Sequence, residues 1–261
     1  MKKAEDELNE DPKTRNDKIK EVITRCKASP SIPASCYPRT DFRCMQFWQY
    51  FHMLLLNLRC NFIEYRKRLD EGFVLRYLRV AKFDVKNAVN RLERFFQLQR
   101  DWPELYGHWK FDERMERLLE AGSTELMPDP DEDGVRYLVF RLSAWDPAVD
   151  SVHEVYRACI FLWEYILLEL VPFVNPINNY NLTISESIQV NGVKVCGDQG
   201  SLSWNHLKNT PMKVNKLWAQ AVDGCYPIRN KKVAMIKVSG TSIGSLIGLL
   251  LGSARRIFDN C

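Results

Sequence analysis

The chain has 261 residues, 46% of them hydrophobic and 27% charged, with a formal net charge of +4. It is long enough for one large domain or a small and a medium one, and too ordinary in composition for a fibrous, low-complexity or disordered protein. The charge is uneven: residues 207–261 carry nine Lys or Arg against only Asp223 and Asp259, which makes this end the candidate anion-facing surface.

From the beginning of the chain, Glu5 to Lys27 is polar, with Leu8, Ile19, Val22 and Ile23 spaced for one face of a short surface helix. Prolines and small polar residues break any periodicity from Ser29 to Arg43. Residues 45–58 are uncharged for only fourteen positions and residues 238–254 for seventeen, with four glycines; both fall short of the roughly 20 apolar residues that span a bilayer. A soluble protein is expected. Eight cysteines without a CxxC pair, behind a start that is rich in Lys and Glu, point to reduced thiols in the cytosol.

Asp70 is placed to cap a helix through Arg79. Asp84 is placed to cap the next, in which Val85, Ala88, Val89, Leu92, Phe95 and Phe96 form a buried stripe. A further amphipathic helix is expected over Asp112 to Leu119, so residues 1–120 read as entirely helical. The pattern changes after Pro128, Pro130 and the Asp133-Gly134 turn. Val135 to Leu142 is β-branched and aromatic like a buried strand, and Ser151 and Glu154 form a capping box for an apolar helix to Leu170. Strands are expected at Val193–Asp198 and Lys231–Val238. A helix is expected over Pro211–Gly224, and a Gly-rich one from about Ser242 to Arg256. This order implies an α/β fold whose mixed or parallel sheet is joined by crossover helices.

No metal-ligand or cofactor motif is present: there is neither HExxH nor paired CxxC, and Gly192, Gly197 and Gly200 match no phosphate-binding loop. Gly240-Thr241-Ser242-Ile243-Gly244 fits the G-x-S-x-G pattern of hydrolases. In that fold the acid and the His follow the Ser, whereas His52, His108, His153 and His206 all precede Ser242. A serine hydrolase therefore stays open only as an alternative. Nucleic-acid binding is not expected, because the basic end carries an extremely apolar helix and no recognised module.

Several segments together resemble the CRAL-TRIO lipid-binding family, in the branch of the alpha-tocopherol transfer protein and the clavesins. They are Asn9-Glu10-Asp11-Pro12, the stretch from Phe73 to Arg79 with Lys82 to Val85, Gln189 to Gly192, Leu202 to His206, and Asp223 to Arg229. The resemblance implies an α/β lipid cage (121–261) behind an all-helical domain (1–120), with residues 28–65 as a probable insertion and a smaller excess near Val171 to Ser185. It also implies a non-enzymatic carrier without a cofactor, holding one tocopherol-like, retinoid or phospholipid ligand. Such a carrier is expected to be a cytoplasmic monomer that transiently visits endosomal or other intracellular membranes. Carried across by the resemblance, the lipid-facing positions are Tyr156, Cys159, Trp163, Trp218, Ala221, Tyr226 and Ile228. The phosphoinositide-facing ones are Arg229 and Lys231, with Arg255 and Arg256 at the end of the gate-like helix. Family members continue beyond the position of Cys261 with another strand, so the cage is expected to be incomplete there, and an inactive membrane-binding fragment is a further alternative.

Overall fold

A computed structural model describes residues 2–32, 69–106, 112–127, 129–141, 143–167, 184–198, 200 and 202–236. The chain divides into two compact units, residues 1–113 and 114–261.

In the first unit the polar opening segment is two helices, α1 (Lys2–Leu8) and α2 (Arg15–Ala28), rather than one. Asn9 takes a left-handed φ of 57° and Pro12 cannot donate a helical hydrogen bond, so the chain turns there. Asp11 secures the turn, accepting from the Lys13 N–H (2.9 Å) and the Thr14 hydroxyl (3.2 Å). Nor is this a surface helix alone: Leu8, Ile19 and Val22 are buried.

The capped helices follow as α3 (Glu71–Val80) and α4 (Val85–Asp101), then one short turn, α5 (Pro103–Tyr106). Asp70 accepts from the Phe73 N–H at 2.8 Å and Asp84 from the Asn87 N–H at 3.1 Å, each satisfying an otherwise unpaired first-turn donor. Helix α2 packs on α3 and α4. Phe73, Tyr77 and Phe95 meet there with ring centroids 5.2–6.0 Å apart, and Phe96 extends the cluster at 5.5 Å from Phe95. The segment expected as an insertion starts inside this packing. Ala28 ends α2, the Ser29 hydroxyl donates to Glu93 (2.5 Å), and Arg100 donates to the Ser31 carbonyl (2.6 Å). Residues 33–65 of it lie outside the described residues.

The second unit opens with α6 (Glu113–Glu120), whose Arg114 and Arg117 pair with Glu154 (2.5 Å) and Asp150. Its sheet has the order β1 (Thr124–Leu126), β2 (Arg136–Arg141), β3 (Val193–Asp198), β4 (Asn230–Ile236). β1 is antiparallel to β2, whereas β2, β3 and β4 are mutually parallel, so the sheet is mixed. Parallel neighbours demand long crossovers. The first holds α7 (Val152–Leu167) and α8 (Ile184–Asn191); the second holds α9 (Trp204–Lys208) and α10 (Met212–Gln220), which ends in a π-helical turn at Ala221–Cys225. Strand β1 and helices α8 and α9 are additions to the elements expected from the sequence. The Gly-rich helix expected from Ser242 lies outside the described residues.

Gly192 joins α8 to β3 with φ +79°, and its N–H donates to the Ile188 carbonyl at 2.8 Å. A Cβ at this position would stand 2.6 Å from the Arg229 carbonyl oxygen, a backbone atom that cannot swing aside. Only glycine fits both the left-handed turn and that approach.

Candidate functional site

Helix α7 begins with the expected capping box: the Ser151 N–H donates to Glu154 (2.7 Å) and the Glu154 N–H to the Ser151 hydroxyl (3.4 Å). From that fixed start, Tyr156, Cys159 and Trp163 recur at i, i+3 and i+7 and share one face, which is buried. Helix α10 and its π-helical turn supply Trp218, Ala221 and then Tyr226 and Ile228, all buried as well.

Four of these seven lipid-facing candidates meet in one aromatic cluster. The Tyr156 ring lies parallel to Trp218 at 4.4 Å, Trp163 stacks on Trp218 at 5.0 Å, and Tyr226 stands edge-on to Trp163 at 5.2 Å. Phe140 from β2 joins them edge-on, 6.0 Å from Trp163 and 6.2 Å from Trp218. Offset-stacked and edge-to-face pairs of this kind are each worth about 0.5–1.5 kcal/mol beyond the burial of their area. Ala221 contributes its carbonyl, which accepts the Tyr226 N–H at 3.1 Å, and Ile228 is buried two residues further on.

The cluster contains three polar groups in different states. The Tyr156 hydroxyl donates to Asn215 Oδ1 at 2.6 Å, and burial together with the neighbouring Cys159 pushes its pKa well above the usual phenol value. Burial likewise pushes the Cys159 thiol up to about 12, with the Thr124 hydroxyl beside it pulling the other way. Trp163 is only 2% exposed, yet its indole N–H has no hydrogen-bond partner among the described residues. A buried, unmatched donor costs about 1–3 kcal/mol, so this one is a natural place for a ligand oxygen. Phe140 and Asn215 were not among the candidates. Phe140 lies two residues from buried Leu138 on the same face of β2, so its placement on an inner face is legible in the strand; Asn215 is a polar residue on a buried helix face and gives no such sign.

The basic candidates behave differently. The Arg229 guanidinium donates to the Val190 carbonyl near the end of α8, and its own carbonyl accepts the Val193 N–H at 2.8 Å, so it ties α8 and β3 to the approach of β4. Lys231, two residues on, is exposed. Arg255, Arg256 and Ser242 lie outside the described residues.

One Ser–His contact is present: the Ser203 hydroxyl lies 2.7 Å from His206 Nδ1, which also receives the Ser203 N–H at 3.2 Å. Nδ1 is therefore the acceptor, and Nε2 carries the proton toward the Trp145 carbonyl at 3.0 Å. With a carbonyl rather than a carboxylate behind it, the imidazole holds a helix start in place. Among the described residues no group of three His, Cys, Asp or Glu is arranged to hold a metal ion, and no helix is long and apolar enough to cross a membrane.

Comparison with known proteins bears on the same half of the chain. Residues 121–242 match the CRAL/TRIO domain. The human protein named alpha-tocopherol transfer protein-like is 29% identical over 169 residues, covering 64% of this chain and 44% of that protein. Clavesin-1 of Rattus norvegicus is 23% identical over 163 residues (62% and 42%), and Clavesin-2 of the same species is 22% identical over 230 residues (88% and 56%). The chain thus spans under half the length of the first two relatives. Its mixed sheet and crossover helices lie within the stretch, residues 121–242, that matches the CRAL/TRIO domain.

Proposed function

We propose that this chain binds one hydrophobic lipid within residues 121–261 and carries it between membranes, without a chemical step of its own. The observation that carries the reading is the aromatic face of α7 and α10, set in a CRAL/TRIO domain and presenting the unmatched Trp163 N–H. An apolar pocket gains about 25 cal/mol for each Å² of apolar surface that it removes from water, while one or two polar groups fix the orientation. The relative named alpha-tocopherol transfer protein-like supports an apolar lipid of that class as the ligand.

In this reading Tyr156, Cys159, Trp163, Trp218, Ala221, Tyr226 and Ile228 face the lipid. The exposed Lys231, with Arg229 and the more distal Arg255 and Arg256, faces phosphoinositide headgroups at the pocket mouth. The carrier works as a cytoplasmic monomer with transient stays at endosomal or other intracellular membranes. Support for the basic role is electrostatic: the last 55 residues hold nine basic and two acidic side chains, and each Lys or Arg near an anionic leaflet is worth about 1 kcal/mol.

Native mass spectrometry of the chain purified from cells tests the reading. A single co-purifying adduct of lipid mass is expected in the wild type and absent from Trp163→Asp. A protein that carries no adduct, and takes up none when incubated with lipid vesicles, overturns it.

A further inference from the structure

Among the described residues only Tyr137, Val149, Trp204 and Met212 are large hydrophobics left exposed, and three of these four lie around one corner of the second unit. Trp204, 67% exposed, opens α9; Met212, 48% exposed, opens α10 after the Asn209–Pro211 turn; Val149, 59% exposed, tops the turn before α7. That turn is fastened to α9 by the His206 Nε2 contact with the Trp145 carbonyl (3.0 Å) and by the edge-on Trp145–His206 ring pair at 5.5 Å.

The charges on α9 and α10 have one sign. Lys208 lies one helical turn from Trp204, and Lys213 and Lys216 share the exposed face of α10 with Met212. No Asp or Glu occurs from residue 199 to residue 222. Of the two carboxylates in the adjoining turn, Asp150 is buried against Arg117, and Asp146 accepts the Ala148 N–H at 2.9 Å. Exposed Trp and Met on a rigid, capped corner flanked by lysines match the chemistry of a bilayer interface. The indole sits at headgroup level, the thioether reaches the acyl boundary, and ammonium groups meet anionic lipids.

We infer that the α9–α10 corner, with Trp204 and Met212 as insertion points and Lys208, Lys213 and Lys216 as the electrostatic flank, is a docking surface for an anionic lipid bilayer, separate from the Arg229–Lys231 patch. The inference shares the membrane with the proposed function but needs no cargo, so either can fail alone.

The test is vesicle co-sedimentation of the full chain on phosphatidylcholine vesicles with and without 30% phosphatidylserine (a fraction of about one third, enough to give a strongly negative surface). The variants are Trp204→Ala/Met212→Ala, Trp204→Phe, Lys208→Gln/Lys213→Gln/Lys216→Gln and Arg229→Ala/Lys231→Ala. The substituted corner side chains are exposed, so thermal melts of the Trp204, Met212 and lysine variants are expected to superimpose on the wild type. The lysine triple variant is expected to lose on the order of a hundredfold in partitioning to anionic vesicles, about fivefold per lysine, and to lose its salt sensitivity. Trp204→Ala/Met212→Ala is expected to weaken binding to both vesicle types, with Trp204→Phe close to wild type. Corner variants that bind as wild type, or a wild-type chain that sediments with neither vesicle and instead pairs with another protein through Trp204, overturn the inference. Native mass spectrometry of the same preparations reports the cargo independently.

Discussion

The guanidinium of Arg79 grips the carboxylate of Glu10 with two hydrogen bonds, Nε to Oε2 at 3.0 Å and Nη2 to Oε1 at 3.1 Å, and both side chains are only 6% exposed. Sixty-nine positions separate them, and the segment 33–68 lies between. A buried pair of this kind gains little over an apolar one, because both charges must leave water, but removing Glu10 takes two charge-assisted hydrogen bonds from a buried guanidinium and costs about 3–5 kcal/mol. Glu10→Ala is therefore expected to lower stability by that amount in urea melts, and Glu10→Ala/Arg79→Met to recover most of it. An unchanged midpoint for Glu10→Ala would show that water already reaches Arg79.

The same pair makes the insertion testable. Helices α2, α3 and α4 pack together and Glu10 holds Arg79 through contacts among residues 2–32 and 69–106. Replacing 33–68 with a Gly-Ser linker of about a dozen residues, which reaches roughly 20 Å on average, is expected to leave a cooperative melt within about 1 kcal/mol of the full chain. The deletion must spare residues 29–32, since Ser29 bonds Glu93, Ser31 bonds Arg100 and Ile32 is buried. Loss of cooperativity with those four residues kept would place the segment in the core of the unit.

Gly192 leaves room for the Arg229 carbonyl where the chain enters β4. Gly192→Ala has to push the Arg229 carbonyl away from a 2.6 Å clash while holding a left-handed φ, and the Val193 N–H loses its 2.8 Å acceptor as the strand moves. The expected cost is about 2–4 kcal/mol, the sum of a strained φ and a weakened buried hydrogen bond. A loss under about 0.5 kcal/mol in chemical denaturation would mean that β4 shifts freely.

Much of this was legible from local chemistry. Asp70, Asp84 and the Ser151–Glu154 box announce three helix starts because a cap and the donors it satisfies lie within a few residues of each other. Strands β2, β3 and β4 are legible as β-branched and aromatic runs. Strand β1 is not: three residues show no alternation, and Thr124 to Leu126 becomes a strand only through its antiparallel register with Leu138 to Phe140. Helix spacing put Tyr156, Cys159 and Trp163 on one face. The partners across that face, Phe140 and Asn215, depend on tertiary neighbours that no spacing within α7 reports. The bond of the Arg229 guanidinium to the Val190 carbonyl is likewise a tertiary contact that its place in the sequence does not report.

Burial of Cys159 gives a pH signature. Its pKa is pushed up to about 12 in the folded chain, against about 8.5 in an unfolded one. Below about pH 8.5 both states keep the proton and the full stability is present. As the pH rises from there towards 12, the unfolded state releases the proton first and stability falls. Between pH 8 and pH 10.5 this one thiol accounts for a loss of about 2.5 kcal/mol; burial of Cys26, then the charge of Glu93, pushes that thiol in the same direction. Urea melts across this range are expected to show a shallower decline for Cys159→Ala than for the wild type. Parallel curves would put the thiol in contact with water.

The state of Trp163 separates a pocket from a packed core. As a core residue touching Phe140, Trp218 and Tyr226, it costs about 3–5 kcal/mol on truncation to Ala, and Trp163→Phe, which keeps an aromatic face, costs less. Neither number involves lipid. The indole N–H does, because it is buried and unmatched among the described residues, so a ligand oxygen that accepts it removes a penalty of about 1–3 kcal/mol. Trp163→Phe deletes the donor and with it the need, so affinity for an oxygen-bearing lipid is expected to drop about tenfold while affinity for a hydrocarbon of equal bulk is unchanged. The measurement is displacement of a fluorescent lipid by a hydroxylated ligand and by its deoxy analogue, on wild type and Trp163→Phe, with urea melts of both proteins alongside. A variant that loses both ligands equally, in step with its loss of stability, would assign Trp163 to structure and leave the oxygen of the lipid to another group.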